Sequence, residues 1–212
     1  LVTMNDPVDA AATSLGEYTV VIDAGHGGID GGTSAADGTP EKTLNLQIAE
    51  KLRLMLDAMG VKTVMTRSDD DSIHDPSATT IRQKKISDIK NRLKIIENTD
   101  NAVFVSIHQN HFGDSKYHGT QVFYSKNDPG SKMLAEAVRA QIITNLQKDN
   151  TREVKQSGTE IYLLYHANVP AVMVECGFLS NAEETAKLKD EGYQRELAFL
   201  TALGVVEYLS GR

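Results

Sequence analysis

The sequence predicts a single α/β domain built on a mostly parallel mixed sheet, with helices flanking both of its faces. Three observations lead there. Short β-branched runs alternate with stretches of helical period. The first strand, helix and strand follow one another closely enough to be a parallel crossover unit. No Pro/Gly/Ser-rich linker divides the 212 residues.

The elements follow in order. Leu1 to Gly16 is small, polar and aperiodic, so 1–17 is expected as a flexible segment and 18–212 as the folded domain. Tyr18 to Asp23 reads as the first strand. Gly25 to Gly38 is a polar, glycine-rich loop. Pro40 opens a helix with Thr39 as its candidate N-cap. Leu44, Ile48, Leu52 and Met55 or Leu56 carry its apolar face, and Gly60 closes it. Val61 to Thr66 is the second strand, and Ser68 to Ser77 is an acidic loop. Ile81 to Ile96 is helical, ending near Asn98. Ala102 to Ile107 is the third strand, followed by a loop from His111 to His118. Thr120 to Tyr124 alternates as a strand does. Asn127 to Gly130 is a turn that starts a helix over Met133 to Leu146. Asp149 to Thr159 is expected to be exposed, and Ile161 to Tyr165 to form a short strand or turn. Pro170 to Val174 is the last buried strand. Ser180-Asn181-Ala182-Glu183 has capping-box spacing, and Tyr193 to Leu209 is a final amphipathic helix.

Composition removes several functions. A net charge of −7 with no long basic stripe excludes a general nucleic-acid surface. Arg82, Lys84, Lys85, Lys90, Arg92 and Lys94 alternate with Ile and Leu and read as a solvated helix face. The single cysteine, Cys176, rules out an intrachain disulfide. No stretch has the length of a transmembrane helix, and no export signal is visible in this sequence.

Two runs deliver histidines at strand ends: Val20 to Gly28, carrying His26, and Val103 to Asn110, carrying His108. Open α/β sheets place ligands outside the carboxyl ends of their strands, and two neutral imidazoles meeting there suggest a metal site. Glu41, in the first turn of a helix, complements the helix dipole, yet the loop from His26 runs straight to it. His111 could compete with His108 but falls in a loop. His74, His118 and His166 read as exposed. Glu175 ends a buried strand, where burial raises a carboxyl pKa toward the range of a general base. Its neighbour Cys176 reads as a small core thiol. Asp23 and Asp30 are both candidates to orient a histidine. Glycine spacing in the first run fails both nucleotide-binding patterns.

With these residues the chain resembles the zinc-dependent N-acetylmuramoyl-L-alanine amidases, the type-3 amidase family of bacterial wall hydrolases. The resemblance is carried by Ile22 to Gly28, Glu41 to Leu46, Ser106 to Asn110, Gly119 to Tyr124 and Val174 to Asn181. It implies one zinc per chain held by His26, Glu41 and His108, with Glu175 as catalytic acid/base. It also implies a peptidoglycan glycan with its stem peptide as substrate and action outside the cytoplasm at the wall or spore envelope; an activator protein is a candidate partner, and the sequence leaves open whether one is needed. The compact domain is most similar to members acting on spore cortex. No long helix of the kind that plugs the site in division-associated members is evident; Ser68 to Thr80 is the only place for one. His111 stands where a small residue is usual. Two other readings share parts of this pattern: a zinc exopeptidase, which commonly uses two metals and more carboxylates, and an inactive regulator that grips wall glycan. Chain and wall polymer are both anionic, so overall charge does not drive their encounter.

Overall fold

The computed structural model describes residues 15–211. Most of the expected flexible segment, 1–14, lies outside the described residues; Leu15 rests against the core. Six strands form one sheet: β1 (Thr19–Ala24), β2 (Lys62–Met65), β3 (Ala102–Asn110), β4 (Gln121–Tyr124), β5 (Lys155–Gln156) and β6 (Ala171–Phe178). Their order is β2-β1-β3-β6-β4-β5, parallel throughout except for the antiparallel pairing of β4 with β6. The helices are α1 (Glu41–Ala58), α2 (Ile81–Glu97), α3 (Gly130–Asn145), α4 (Tyr162–His166), α5 (Ala182–Lys189) and α6 (Glu191–Ser210).

Strand alternation divides the core in two. Val20 and Ile22 of β1, Val103, Val105 and Ile107 of β3, and Val172 and Val174 of β6 face α1, α3 and α6. Val21, Phe104 and Met173 face the other way, toward Ile96 of α2 and Leu163 and Leu164 of α4. The first face is covered by three long helices. The second has one long helix and a five-residue one, which leaves a cleft at the carboxyl ends of the strands.

Local chemistry explains the ends of the elements and corrects several expectations. Pro40 is the N-cap of α1 rather than its first residue, and no side chain caps there. Loop carbonyls take the role instead: Glu41 N donates to Thr33 O and Lys42 N to Gly31 O. Gly60, at φ +82°, closes α1 in a Schellman motif, with Val61 N donating to Leu56 O and Gly60 N to Asp57 O. Thr80 and Gln83 form a full capping box for α2. At α5 the cap is Asn181, not Ser180; its side chain accepts from Glu183 N and Glu184 N. Ile161 to Tyr165 is mostly the short helix α4, and the exposed stretch after Asp149 contributes the two-residue strand β5. The segment between β2 and α2 holds no helix.

Two strands run further than their apolar stretches. β3 continues through His108 to Asn110 with a bulge, and β6 continues through Glu175 to Phe178. His108 and Glu175 therefore lie within strands, fixed by ladder pairing rather than hanging from strand ends.

Gly204 of α6 sits against the backbone of α3: a Cβ there would fall 2.5 Å from Val138 Cα. Gly204→Ala gains about 1 kcal/mol of helix propensity. Overpacking of two backbones costs about 1–3 kcal/mol, so net destabilisation is expected. Urea unfolding of the variant should show a lower midpoint at unchanged m; a raised midpoint would mean the helices can part freely.

Candidate metal centre and catalytic cleft

The cleft is built where β1 ends. Gly25 N extends the ladder by donating to Ile107 O at 3.1 Å. His26 then adopts φ +62°, a left-handed conformation that a non-glycine residue holds only under constraint. Two arginines supply that constraint. Arg92 Nη2 donates to His26 O at 2.6 Å and Nη1 to Ala24 O at 2.8 Å. Arg67 Nε donates to Ala24 O, and its Nη2 to Gly25 O and to Lys42 O. The loop returns through bridges between Gly27 and Asp30 and between Ser34 and Pro40, delivering Glu41 to the cleft.

Glu41 is only 3% exposed, and both its oxygens are held. Oε1 accepts from Gln109 N and from Asn45 Nδ2, one helical turn along α1. Oε2 accepts from Thr33 N. His108 Nδ1 lies 2.9 Å from Oε1 and His26 Nε2 lies 3.3 Å from Oε2. The carboxylate is thus wedged between two imidazoles. Glycine is needed for this approach: a Cβ on Gly25 would enter the His108 ring, and one on Gly32 would meet Glu41 Oε2 and His26 Cδ2.

One ligand atom from each of His26, Glu41 and His108 lies within 4.8 Å of the others, so the three can hold one metal ion. The donor set, two imidazole nitrogens and one carboxylate oxygen, fits zinc and leaves a coordination position free. Among the described residues no second group of this kind is present. Asp30 Oδ2, 2.9 Å from His26 Nδ1, leaves Nε2 facing Glu41. Of the two aspartates considered for orienting a histidine, it is Asp30 that contacts one; Asp23 binds Arg92, Ser106 and Thr66 instead. Burial opposes a charge on His26, but hydrogen bonds to Asp30 and Glu41 outweigh it and push its pKa up to about 9. Burial likewise works against the Glu41 carboxylate, yet the two histidines hold it well below the usual range.

Glu175 pairs in register with His108 on the neighbouring strand, so their side chains share the α2/α4 face. Its Oε2 is buried and has no hydrogen-bond partner among the described residues. Burial is the main cause of a pKa pushed up to about 7; His108 and His26 pull it down, and Glu41 adds to the rise. Cys176 points to the opposite face, where its Sγ contacts Val174 O at 3.7 Å and burial pushes the thiol up. It has no route to the cleft. His111, His118 and His166 are exposed, and His74 contacts Ser72; none joins the metal-binding group.

Arg92 corrects the sequence reading. It was expected on a solvated helix face and is 1% exposed, pairing with Asp23 and Asp88. Lys85 of the same group pairs with Asp30. Arg67 and Asn45 were not anticipated at all. For Asn45 a signal existed: it lies four residues after Glu41, on the same helix face.

Protonated Glu175 makes metal-free protein pH-sensitive in a defined direction. Its folded pKa, about 7, lies above the ordinary value of 4.5. Between these two values the unfolded chain has lost the proton and the folded chain keeps it, so stability falls as pH rises through this window. Glu175→Gln should remove that loss, making apo protein more stable than wild type by up to about 3 kcal/mol at pH 8 and little different at pH 4. Denaturant melts of chelator-treated protein at both pH values measure it; equal stability at pH 8 would refute a neutral buried carboxyl.

The family model described as N-acetylmuramoyl-L-alanine amidase matches residues 20–207. A germination-specific N-acetylmuramoyl-L-alanine amidase of Bacillus subtilis is 29% identical over 206 residues, 97% of this chain and 86% of that protein. Among solved structures, the CwlD amidase of Clostridioides difficile in complex with the GerS lipoprotein superposes with a TM-score of 0.88 at 43% identity, covering 92% of this chain and all of that one (100%). An N-acetylmuramoyl-L-alanine amidase of Nostoc punctiforme superposes with a TM-score of 0.78 at 31% identity, covering 92% and 98%.

Proposed function

The chain belongs to the N-acetylmuramoyl-L-alanine amidase family, and on that premise we propose that it cleaves the amide between the muramic acid lactyl group and L-alanine with His26, Glu41 and His108 as zinc ligands and Glu175 as catalytic acid/base. The observation that carries the assignment is the meeting of three ligand atoms within 4.8 Å, beside a carboxyl in register with one of them. His26, Glu41 and His108 would hold the zinc, which when bound would supply Lewis-acid chemistry at the carbonyl and at a water molecule.

The chain's own residues do the rest. Asp30 holds His26 with Nε2 turned inward. Gln109 N, Asn45 and Thr33 N hold Glu41 in place. Glu175, whose pKa of about 7 suits both roles, takes a proton from the attacking water and returns it to the departing nitrogen of L-alanine. That return is required because an amide anion is a very poor leaving group. The products are a glycan with a free lactyl carboxyl and a peptide with a free amino terminus. Zinc exopeptidases commonly use a second metal and further carboxylate ligands, whereas the one metal-holding group among the described residues contains a single carboxylate.

The same reading sets the protein outside the cytoplasm, where the wall polymer is, with spore cortex as substrate in line with the Bacillus subtilis relative. No helix of the described residues is long and apolar enough to cross a membrane. A protein partner acting as activator is part of the reading, supported by the lipoprotein bound to the Clostridioides difficile relative.

Elemental analysis tests the ligand set. Wild type is expected to hold one zinc per chain, and His26→Ala, Glu41→Gln and His108→Ala to lose most of it. Full occupancy in any of them removes that residue from the set. Hydrolysis of purified muropeptides tests Glu175. Glu175→Gln should stay folded and zinc-loaded, with turnover lowered by roughly 10²–10⁴-fold and KM changed far less. Wild-type turnover in that variant would sink the acid/base assignment.

A further inference from the structure

The cleft floor continues past Glu175 along the sheet. Gln121 of β4 pairs with Glu175 and Phe123 with Met173, and Lys155 of β5 pairs with Phe123 in turn. A second groove opens here, with Phe112, Tyr117, Phe123 and Phe178 as aromatic walls and Arg152 and Lys155 as its charged groups. No Asp or Glu lines it, whereas Asp30, Asp88 and Glu160 line the other wing of the cleft. The Arg152 guanidinium stands 4.6 Å from the centre of the Phe178 ring and 5.8 Å from that of Tyr117, and its Nε donates to His118 O. Phe112, 56% exposed, packs edge-on to Tyr117 with 4.9 Å between ring centres.

We infer that this groove, which begins across β4 from Glu175 and ends at Arg152 and Lys155, is a subsite for a free carboxylate on the peptide that the reaction releases. The inference rests on the amidase reading above and names how that site selects its peptide. Three features support it. In a chain of net charge −7, a groove whose own lining holds two cations and no acid is locally cationic. An arginine stacked on aromatic rings keeps its donor edge free for a carboxylate, whereas an uncharged sugar would need the rings and not the cations. Length agrees as well. Two strand spacings separate β6 from β5, roughly 10 Å. An extended peptide advances about 3.3 Å per residue, so a carboxylate about three residues beyond the cleaved bond reaches Lys155. The acyl and glycan side of the substrate is then left the wing between α2 and α4.

The test compares two muropeptides that differ only in whether the stem-peptide carboxylates are free or amidated. Zinc-loaded wild type and the variants Lys155→Gln, Arg152→Gln and their combination are assayed with both, with thermal melts as a control on folding. For the free-carboxylate substrate the double variant should raise KM about tenfold, as expected for losing charge-assisted hydrogen bonds, with kcat within about twofold of wild type. Amidation should raise the wild-type KM similarly, and on the amidated substrate the variants should differ little from wild type. Lys155 is held in the sheet by its main chain, and no hydrogen bond or ion pair of its side chain is present among the described residues, so its single variant keeps the result readable if Arg152→Gln melts early. Equal wild-type KM for the two substrates, or an unchanged KM in the double variant, overturns the subsite. No cleavage of either substrate by zinc-loaded wild type overturns the function on which it rests.

Discussion

A single buried guanidinium, that of Arg92, determines where the chain can leave the sheet. It reaches from α2 to Asp23 on β1, and Asp23 also accepts from Ser106 of β3 and from Thr66 just after β2. One carboxylate therefore ties three neighbouring strands to a helix at the end of the sheet where the cleft opens. Burial alone would raise the Asp23 pKa, but Arg92, His108 and Ser106 bring it down to about 2, so the carboxylate is ionised at neutral pH. Breaking such a pair by removing one partner typically costs about 3–5 kcal/mol, because the other charge is stranded.

The candidate metal site inherits its geometry from this pair. The rest of the Arg92 fork binds the carbonyls of Ala24 and His26, which hold His26 in its left-handed conformation. Arg67 takes the next carbonyl, that of Gly25, and reaches the start of α1 through Lys42 O. Asn45 closes the circuit, donating to both Gly25 O and Glu41 Oε1. A side chain from a strand end, one from a helix start and one from within β3 thus meet because main-chain carbonyls, not only side chains, are fixed. The strain at His26 is borne by the two arginines, neither of which belongs to the metal-binding group.

How much of this was legible in the sequence depended on whether a residue's partner was local. His26, His108 and Glu175 follow apolar strand runs, and Glu41 sits in a first helical turn, so each could be picked from its own neighbourhood. Strand lengths could not be read that way. β3 and β6 continue into polar residues because each pairs with the other, and the pairing that holds His108 opposite Glu175 is invisible to periodicity. Arg92 was misread for the same reason: a cation among Ile and Leu looks solvated until a carboxylate 69 residues away is known to face it. At α5 the choice between Ser180 and Asn181 turned on a single residue of register, which spacing alone does not resolve. Which aspartate serves His26 was decided by the loop that folds Asp30 back, beyond reach of any linear pattern.

Glu175 and Cys176 show how one strand separates two chemistries. They are adjacent, and burial raises both pKa values, but alternation sends them to opposite faces. On the packed face a raised pKa makes the thiol inert. On the open face it brings a carboxyl to about 7, where it can both take and give a proton. The missing hydrogen bond at Glu175 Oε2 belongs to this arrangement. A donor there would stabilise the anion, lower the pKa and weaken the carboxylate as a base. The stability lost by leaving a buried oxygen without a partner is inseparable from the proton transfer proposed for Glu175.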